Sequence, residues 1–375
     1  MNGQESARQK TVLHLIDTTG PGGAETVFTS LLKELAKTNI RNVVVLRGEG
    51  WVAERVRAIG LTPRFIDSKG SFNLQYIKAL RKLLVDEQVD LIHAHLLGSN
   101  VYGALLALLS RKPMIATFHG AVDVAAKERF LRAKFMLVGW GASRIVCVSK
   151  RLEKELIARS NLPEKKLKLI YNGVDPAHFQ GSGPTDLRAE LGLSPDANLV
   201  VSIGNIRPAK GYEFLVDAAV KMLELEDNTH FVVVGHQREA LFRELLHQMS
   251  KAPKPPKIHW LGFREDVADI LRQANVFLLP STSEGFSIST VEAMMAGIPV
   301  IATRSGGPEE IISNEETGFL IPTQDSSAIV NAIRALGTAD TRNRVVEQAR
   351  QVAEEKFSLP SMLNEYRGLY QQLIG

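Results

Sequence analysis

Short apolar runs alternate with longer amphipathic stretches along nearly the whole chain of 375 residues, and few folds accept that alternation. A run of four or five apolar residues reads as a strand buried on both faces. The stretches between such runs have helical spacing, which is the pattern of a parallel α/β sheet. The first series of expected strands falls at 12–16, 43–46, 63–66, 91–94, 114–118, 144–148 and 167–170. A loop rich in Gly, Ser and Pro follows at 180–184, and a second series lies at 199–203, 230–234, 258–261, 276–279, 300–302 and 318–321. Two doubly wound, Rossmann-like parallel-sheet domains are therefore expected, at 1–180 and 181–357. A closing helix is expected within 358–375, with Leu363, Tyr366, Leu369, Tyr370 and Leu373 at helical spacing.

Composition supports two ordinary cores, since 45% of the residues are hydrophobic. The single cysteine, Cys147, sits inside an apolar run, which excludes a disulfide framework and suits a reducing compartment such as the cytoplasm. No apolar run approaches the ~20 residues that a membrane-spanning helix needs. The first ten residues are polar and resemble neither a signal peptide nor an anchor. Charge is uneven: residues 1–180 carry about +11 and residues 181–375 about −7, counting Lys and Arg against Asp and Glu. A basic first half suits an anionic partner, either a phosphate-bearing acceptor or an anionic membrane. The stretch 127–140 is expected to be a helix that mixes Lys127, Arg129, Arg132 and Lys134 with Phe130, Phe135, Met136 and Trp140. It suits either a membrane surface or ordinary packing on the sheet.

Ligands of open α/β sheets bind beyond the carboxyl ends of the strands, and the unusual residues of this chain cluster there. After the run 276–280, Glu284 and Glu292 flank Gly285 and the first turns of a helix expected at 287–295. The glycine admits close backbone approach, and the first amides of the helix favour a diphosphate. Glu284 is then placed to accept from sugar hydroxyls and Glu292 from a ribose, although two glutamates eight apart also suit a solvated or capping role. In the loop after 199–203, Arg207 and Lys210 are placed to neutralise a diphosphate leaving group. The loop 20–25 opens a helix with Gly22 and Gly23 but lacks the Gly-x-Gly-x-x-Gly spacing, and no acidic residue closes the second strand. Both points weigh against a nicotinamide or flavin enzyme. His93 and His95 end one strand, with His93 read as a packed residue, and Thr117-Phe118-His119-Gly120 ends another. No paired Cys/His or Asp-x-Asp motif offers metal ligands.

The segment 284–292, continued through 293–301, resembles the Glu-x7-Glu signature of the retaining nucleotide-sugar glycosyltransferases of family 4. The Gly22-Gly23 loop, the Thr-x-His-Gly motif at 117–120, Asn172-Gly173-Val174-Asp175 and the Gly306-Gly307 pair resemble that family in the same order. The resemblance covers about residues 11–373. It implies a GT-B fold, two Rossmann-like domains facing across a cleft, with the last helix crossing back to the first domain. It also implies transfer of a sugar from a nucleoside diphosphate sugar to an acceptor hydroxyl, with retention and with neither cofactor nor metal. By the resemblance His119 and Glu284 are catalytic; Gly22, Gly23, Asn205, Arg207, Lys210, Gly285, Phe286, Ser287 and Glu292 bind the donor; and His95 borders the acceptor. Two departures stand out. Asn205 occupies a place where the family commonly has Arg, and Gly235-His236-Gln237-Arg238 replaces the common Gly-Asp-Gly-Pro. The expected acceptor is a lipid-linked saccharide of cell-surface polysaccharide assembly, with a soluble small molecule as the alternative. A nucleotide-binding, non-catalytic subunit of a glycan-assembly complex is a further alternative. The expected location is the cytoplasm, with peripheral contact at the inner face of the plasma membrane, and no nucleic acid partner is expected.

Overall fold

In the computed structural model the described residues are 8–67, 73–120, 130–181, 183–225, 228–336 and 339–375. The first seven residues, on which part of the expectation for a polar amino terminus rests, lie outside them.

All thirteen apolar runs form strands. They are β1 Lys10–Ile16, β2 Ile40–Leu46, β3 Arg64–Phe65, β4 Leu91–His95, β5 Met114–Phe118, β6 Arg144–Cys147 and β7 Leu167–Leu169 in the first series. The second series is β8 Asn198–Ile203, β9 Thr229–Val234, β10 Ile258–Gly262, β11 Val276–Leu279, β12 Val300–Thr303 and β13 Phe319–Ile321. The sheets have the orders β3-β2-β1-β4-β5-β6-β7 and β10-β9-β8-β11-β12-β13, and every named pairing in both is parallel. Strands such as Val276–Leu279 are apolar at every position because helices cover both faces of a parallel sheet. Strand order reverses between β1 and β4 and between β8 and β11. The register brings Ile16 beside His95 and Phe277 beside Val201, so the loops beyond these ends open at the two switch points.

The chain divides into two compact units, one of residues 1–173 with 359–375 and the other of residues 174–358. The division falls at Gly173, inside the Asn-Gly-Val-Asp turn, and not at residue 180. Residues 174–180 pack with the second unit: Asp175 caps the short turn Pro176–Phe179, Phe179 is buried, and Arg272 donates to the His178 carbonyl. The closing helix Leu359–Ile374 belongs to the first unit, where it packs on helix Gly23–Leu35 and on β4, burying Leu363, Tyr366, Leu369 and Tyr370. Cys147 is buried and unbonded, and burial pushes its thiol up to about 12.

The helix expected at 127–140 begins later, at Leu131, and runs to Gly141. Residues 121–129, including Lys127 and Arg129, lie outside the described residues. Phe135 and Val138 face the core, which satisfies the packing alternative, while Arg132, Met136 and Trp140 face outward. Among the described residues no helix is long and apolar enough to cross a membrane.

Candidate functional site

In the second unit the chemistry gathers at the β8/β11 switch point. β8 runs into Gly204, whose φ of 159° suits only glycine; a Cβ there would lie 2.8 Å from Cε of Lys210. Gly211 (φ 63°) is equally constrained, because a side chain would collide with the Pro280 carbonyl oxygen at the end of β11. The two loops therefore touch, and Lys210 reaches across to the other. Its Nζ lies 2.6 Å from Glu284 Oε1, and Ser281 Oγ donates to the same oxygen at 2.6 Å. Main-chain bonds fix the carboxylate from behind: Glu284 N donates to Ser305 O (2.9 Å), and Gly307 N donates to Glu284 O (3.0 Å). Both side chains are mostly buried, 20% exposed for Lys210 and 11% for Glu284, so the pair is stronger than a surface ion pair.

Gly285 and Phe286 follow directly, with the Gly306-Gly307 turn against their main chain. The Phe286 ring turns inward onto Phe357, centroids 5.7 Å apart, so only its main chain is available to a ligand. Ser287 caps helix Ile288–Met295, its Oγ accepting from Thr290 N at 3.3 Å. The amides of the first turn have no partner within the helix. Glu292 sits one turn further along that helix, partly buried, and burial lifts its carboxyl to about 7. Arg207 is exposed and makes no hydrogen bond or ion pair with a described side chain. Asn205 ties two loops together, since its Oδ1 accepts from the main chain of His236 at 3.0 Å. His236 in turn stacks on half-exposed Phe263, centroids 4.8 Å apart and planes within 10°. Neither that flat surface nor the role of Ser281 carries a signal in the sequence.

In the first unit four histidines stand in a row beneath the carboxyl edge of the sheet. Ring centroids are 5.8 Å apart for His14 and His93, 4.2 Å for His93 and His95, and 5.2 Å for His95 and His119. His93 lies between the hydroxyls of Tyr370 (2.7 Å) and Thr117 (2.9 Å), the packed role expected of it. His95 is wholly buried, so it offers no surface to an acceptor; its Nδ1 instead meets Nε2 of His119 at 3.0 Å. Burial lowers all four rings: His14 to about 4, His119 to about 3, and His93 and His95 well below 6.5. They are neutral imidazoles at neutral pH, and one ring of the His95–His119 pair must donate to the other. Gly22 caps helix Gly23–Leu35 with extended backbone, and Gly23 is exposed at its tip. Asp17, at the carboxyl end of β1, lies against Gly98 at the start of helix Leu97–Ser110, and burial raises its carboxyl. In the sequence Asp17 stands out only as a strand end. Among the described residues no three His, Cys, Asp or Glu side chains gather to hold a metal ion.

Residues 21–178 match the family described as Glycosyltransferase Family 4, and residues 185–352 match Glycosyl transferases group 1. The chain belongs to glycosyltransferase family 4. Similar relatives of this glycosyltransferase include the N-acetyl-alpha-D-glucosaminyl L-malate synthase of Bacillus anthracis, 24% identical over 94% of both chains. The UDP-Gal:alpha-D-GlcNAc-diphosphoundecaprenol alpha-1,3-galactosyltransferase of Escherichia coli is 25% identical over 80% of both. Among solved structures, Anabaena HepE in complex with UDP-glucose superposes with a TM-score of 0.87 at 22% identity, covering 97% of this chain and 100% of that one. The fold of this family 4 glycosyltransferase is thus GT-B, as its motifs implied.

Proposed function

We propose that this glycosyltransferase moves a hexose-type residue from a nucleoside diphosphate sugar to an acceptor hydroxyl with retention of configuration and without a metal ion. The observation that carries the reading is the Lys210–Glu284 pair at the β8/β11 switch point. The pair sets a cation suited to the diphosphate next to a carboxylate suited to sugar hydroxyls, in the loop that leads into the start of a helix.

In this reading Lys210 and Arg207 neutralise the diphosphate as its bond to the sugar breaks, the work a metal does elsewhere. Glu284 holds the sugar, and Glu292 accepts from the ribose. In the second unit the donor is framed by main chain at Gly285 and Phe286, while Ser287 and Asn205 shape the loops. Acceptor oxygen attacks the face that the diphosphate leaves, and a diphosphate oxygen takes the acceptor proton. His119, uncharged, serves as a hydrogen-bonding group toward the sugar, and His95 holds its ring.

The proposed acceptor is a lipid-linked saccharide of cell-surface polysaccharide assembly, worked on in the cytoplasm. The E. coli relative, named for a diphosphoundecaprenol acceptor, supports it. The B. anthracis relative, named as an N-acetyl-alpha-D-glucosaminyl L-malate synthase and aligned over more of the chain, favours a soluble acceptor as the second reading. Incubating the protein with UDP- and GDP-sugars and each acceptor class tests both. Product that disappears in Glu284→Ala supports the transfer. Nucleotide binding with no transfer to any acceptor leaves the non-catalytic subunit instead.

A further inference from the structure

Helices Leu74–Asp86, Leu97–Ser110 and Leu131–Gly141 pack side by side on one face of the first sheet and hold 13, 14 and 11 residues. They are about a tenth of the chain. Yet they carry Leu74, Val85, Leu108, Leu109, Met136 and Trp140, half of the twelve large apolar side chains exposed among the described residues. Val85 is 73% exposed and Trp140 63%. Scattered exposed leucines need no explanation, but this concentration on one helical layer does.

The polar residues between them are basic. Leu74, Lys78, Arg81 and Val85 follow one another along the outer stripe of the first helix, and Arg132, Met136 and Trp140 along that of the third. Arg111 and Lys112 close the second. Asp86 is the one acidic residue within these three helices. Arg81 and Lys112 make no ion pair with a described residue. With Leu84, Val85, Leu109 and Arg8 they line a cavity of about 520 Å³ at the opposite edge of the sheet from the histidine row. Arg8 is held by Asp90, so the two others are the cations this cavity offers.

We infer that this helical layer docks on an anionic bilayer, with Arg81 and Lys112 receiving a lipid phosphate and Leu109, Met136 and Trp140 entering the headgroup region. Apolar side chains set among unpaired cations match a surface that is negative outside and apolar just below. A second copy of this chain would bring like charges together on the same face. The docking surface extends beyond the expected helix at 127–140 to three helices and a headgroup cavity. It deepens the proposed lipid-linked acceptor, since it would hold the enzyme where such a substrate lies, but its test does not depend on catalysis.

The full chain is mixed with vesicles of phosphatidylcholine alone or with about a third phosphatidylglycerol, at roughly 0.1 and 0.5 M salt, and floated. Tryptophan emission is followed with lipids brominated near the headgroup, and the Trp140 part is read as the difference from Trp140→Phe, since Trp51 and Trp260 also emit. Expected is flotation with the anionic vesicles only, weakened at high salt, with Trp140 quenched. Arg81→Glu/Lys112→Glu should weaken it by roughly tenfold or more while nucleotide binding stays unchanged. No flotation with anionic vesicles, equal flotation with neutral ones, or an unchanged Arg81→Glu/Lys112→Glu variant overturns the inference. So does a concentration-dependent dimer that Trp140→Ser abolishes, because the face would then serve a second copy.

Discussion

Lys210 Nζ lies 2.6 Å from Glu284 Oε1, and the two residues come from loops that follow different strands, β8 and β11. A cation assigned to the diphosphate and a carboxylate assigned to the sugar are thus held as one unit. Lys210→Ala should weaken UDP or GDP binding by roughly 1.5–3 kcal/mol, the range for hydrogen bonds to charged groups. Arg207→Ala should cost less, because that side chain is exposed and unheld. Calorimetry on both variants checks the ranking, and a normal affinity for Lys210→Ala removes the phosphate site. Because the residues touch, Lys210→Ala and Glu284→Gln should be non-additive by about 1 kcal/mol.

The two glutamates should separate. Glu284→Gln is expected to lower turnover by roughly a hundredfold with little loss of free-nucleotide affinity, since its proposed partner is the reacting sugar. Glu292→Gln should do the reverse, since its proposed partner is the ribose. Measured kcat and nucleotide Kd for both variants decide, and equal effects on both quantities contradict the assignment.

As the proposed ribose ligand, Glu292 should also couple nucleotide binding to protons. Its carboxyl, held near 7 by burial, is partly protonated at neutral pH. Ribose hydroxyls donating to it favour the charged form, so nucleotide binding near pH 7 should release on the order of half a proton. Calorimetry in buffers of different ionisation enthalpy reads this release, which Glu292→Gln should lack. For the protein alone, a raised carboxyl favours folding below the unfolded value of 4.5. That contribution is lost as pH rises towards 7, so Glu292→Gln should be the more stable form above neutrality.

The thirteen strands were legible because parallel strands buried on both faces leave uninterrupted apolar runs, as at Val276–Leu279. The loops were legible where a glycine pair marks them, as at Gly306-Gly307, whose turn packs against the main chain of Phe286. What escaped was contact between distant segments. Nothing in the spacing of Lys210, Ser281 and Glu284 says that their side chains meet, and nothing at His95 says that its ring is spent on His119 rather than on a ligand. The unit boundary was misplaced for a similar reason. The Gly/Ser/Pro loop at 180–184 is the more flexible composition, but Phe179 is buried with the second unit and pulls the division back to Gly173.

The histidine row sets an acid limit. In each ring the folded value lies below 6.5, so the unfolded chain binds the extra proton as pH falls. Stability is full above about 6.5 and is lost below it, at up to about 1.4 kcal/mol per pH unit for each ring. The unfolding midpoint should fall steadily between about pH 6.5 and 4.5, and the loss should shrink in His14→Gln. His119, neutral throughout, should add no limb to the pH–rate profile between about 5 and 8. His95→Asn should lower kcat more than it raises donor KM, since the ring acts through His119.

The central claim is retaining transfer from a nucleoside diphosphate sugar bound by Lys210 and Glu284, and the anomer first released from the donor tests it most directly. Proton NMR during turnover of an α-linked UDP- or GDP-sugar, with water or an added acceptor, reads that anomer before it equilibrates. The α product is expected from the wild-type protein and none from Glu284→Ala. A β product, or undiminished turnover in Glu284→Ala, would contradict the claim.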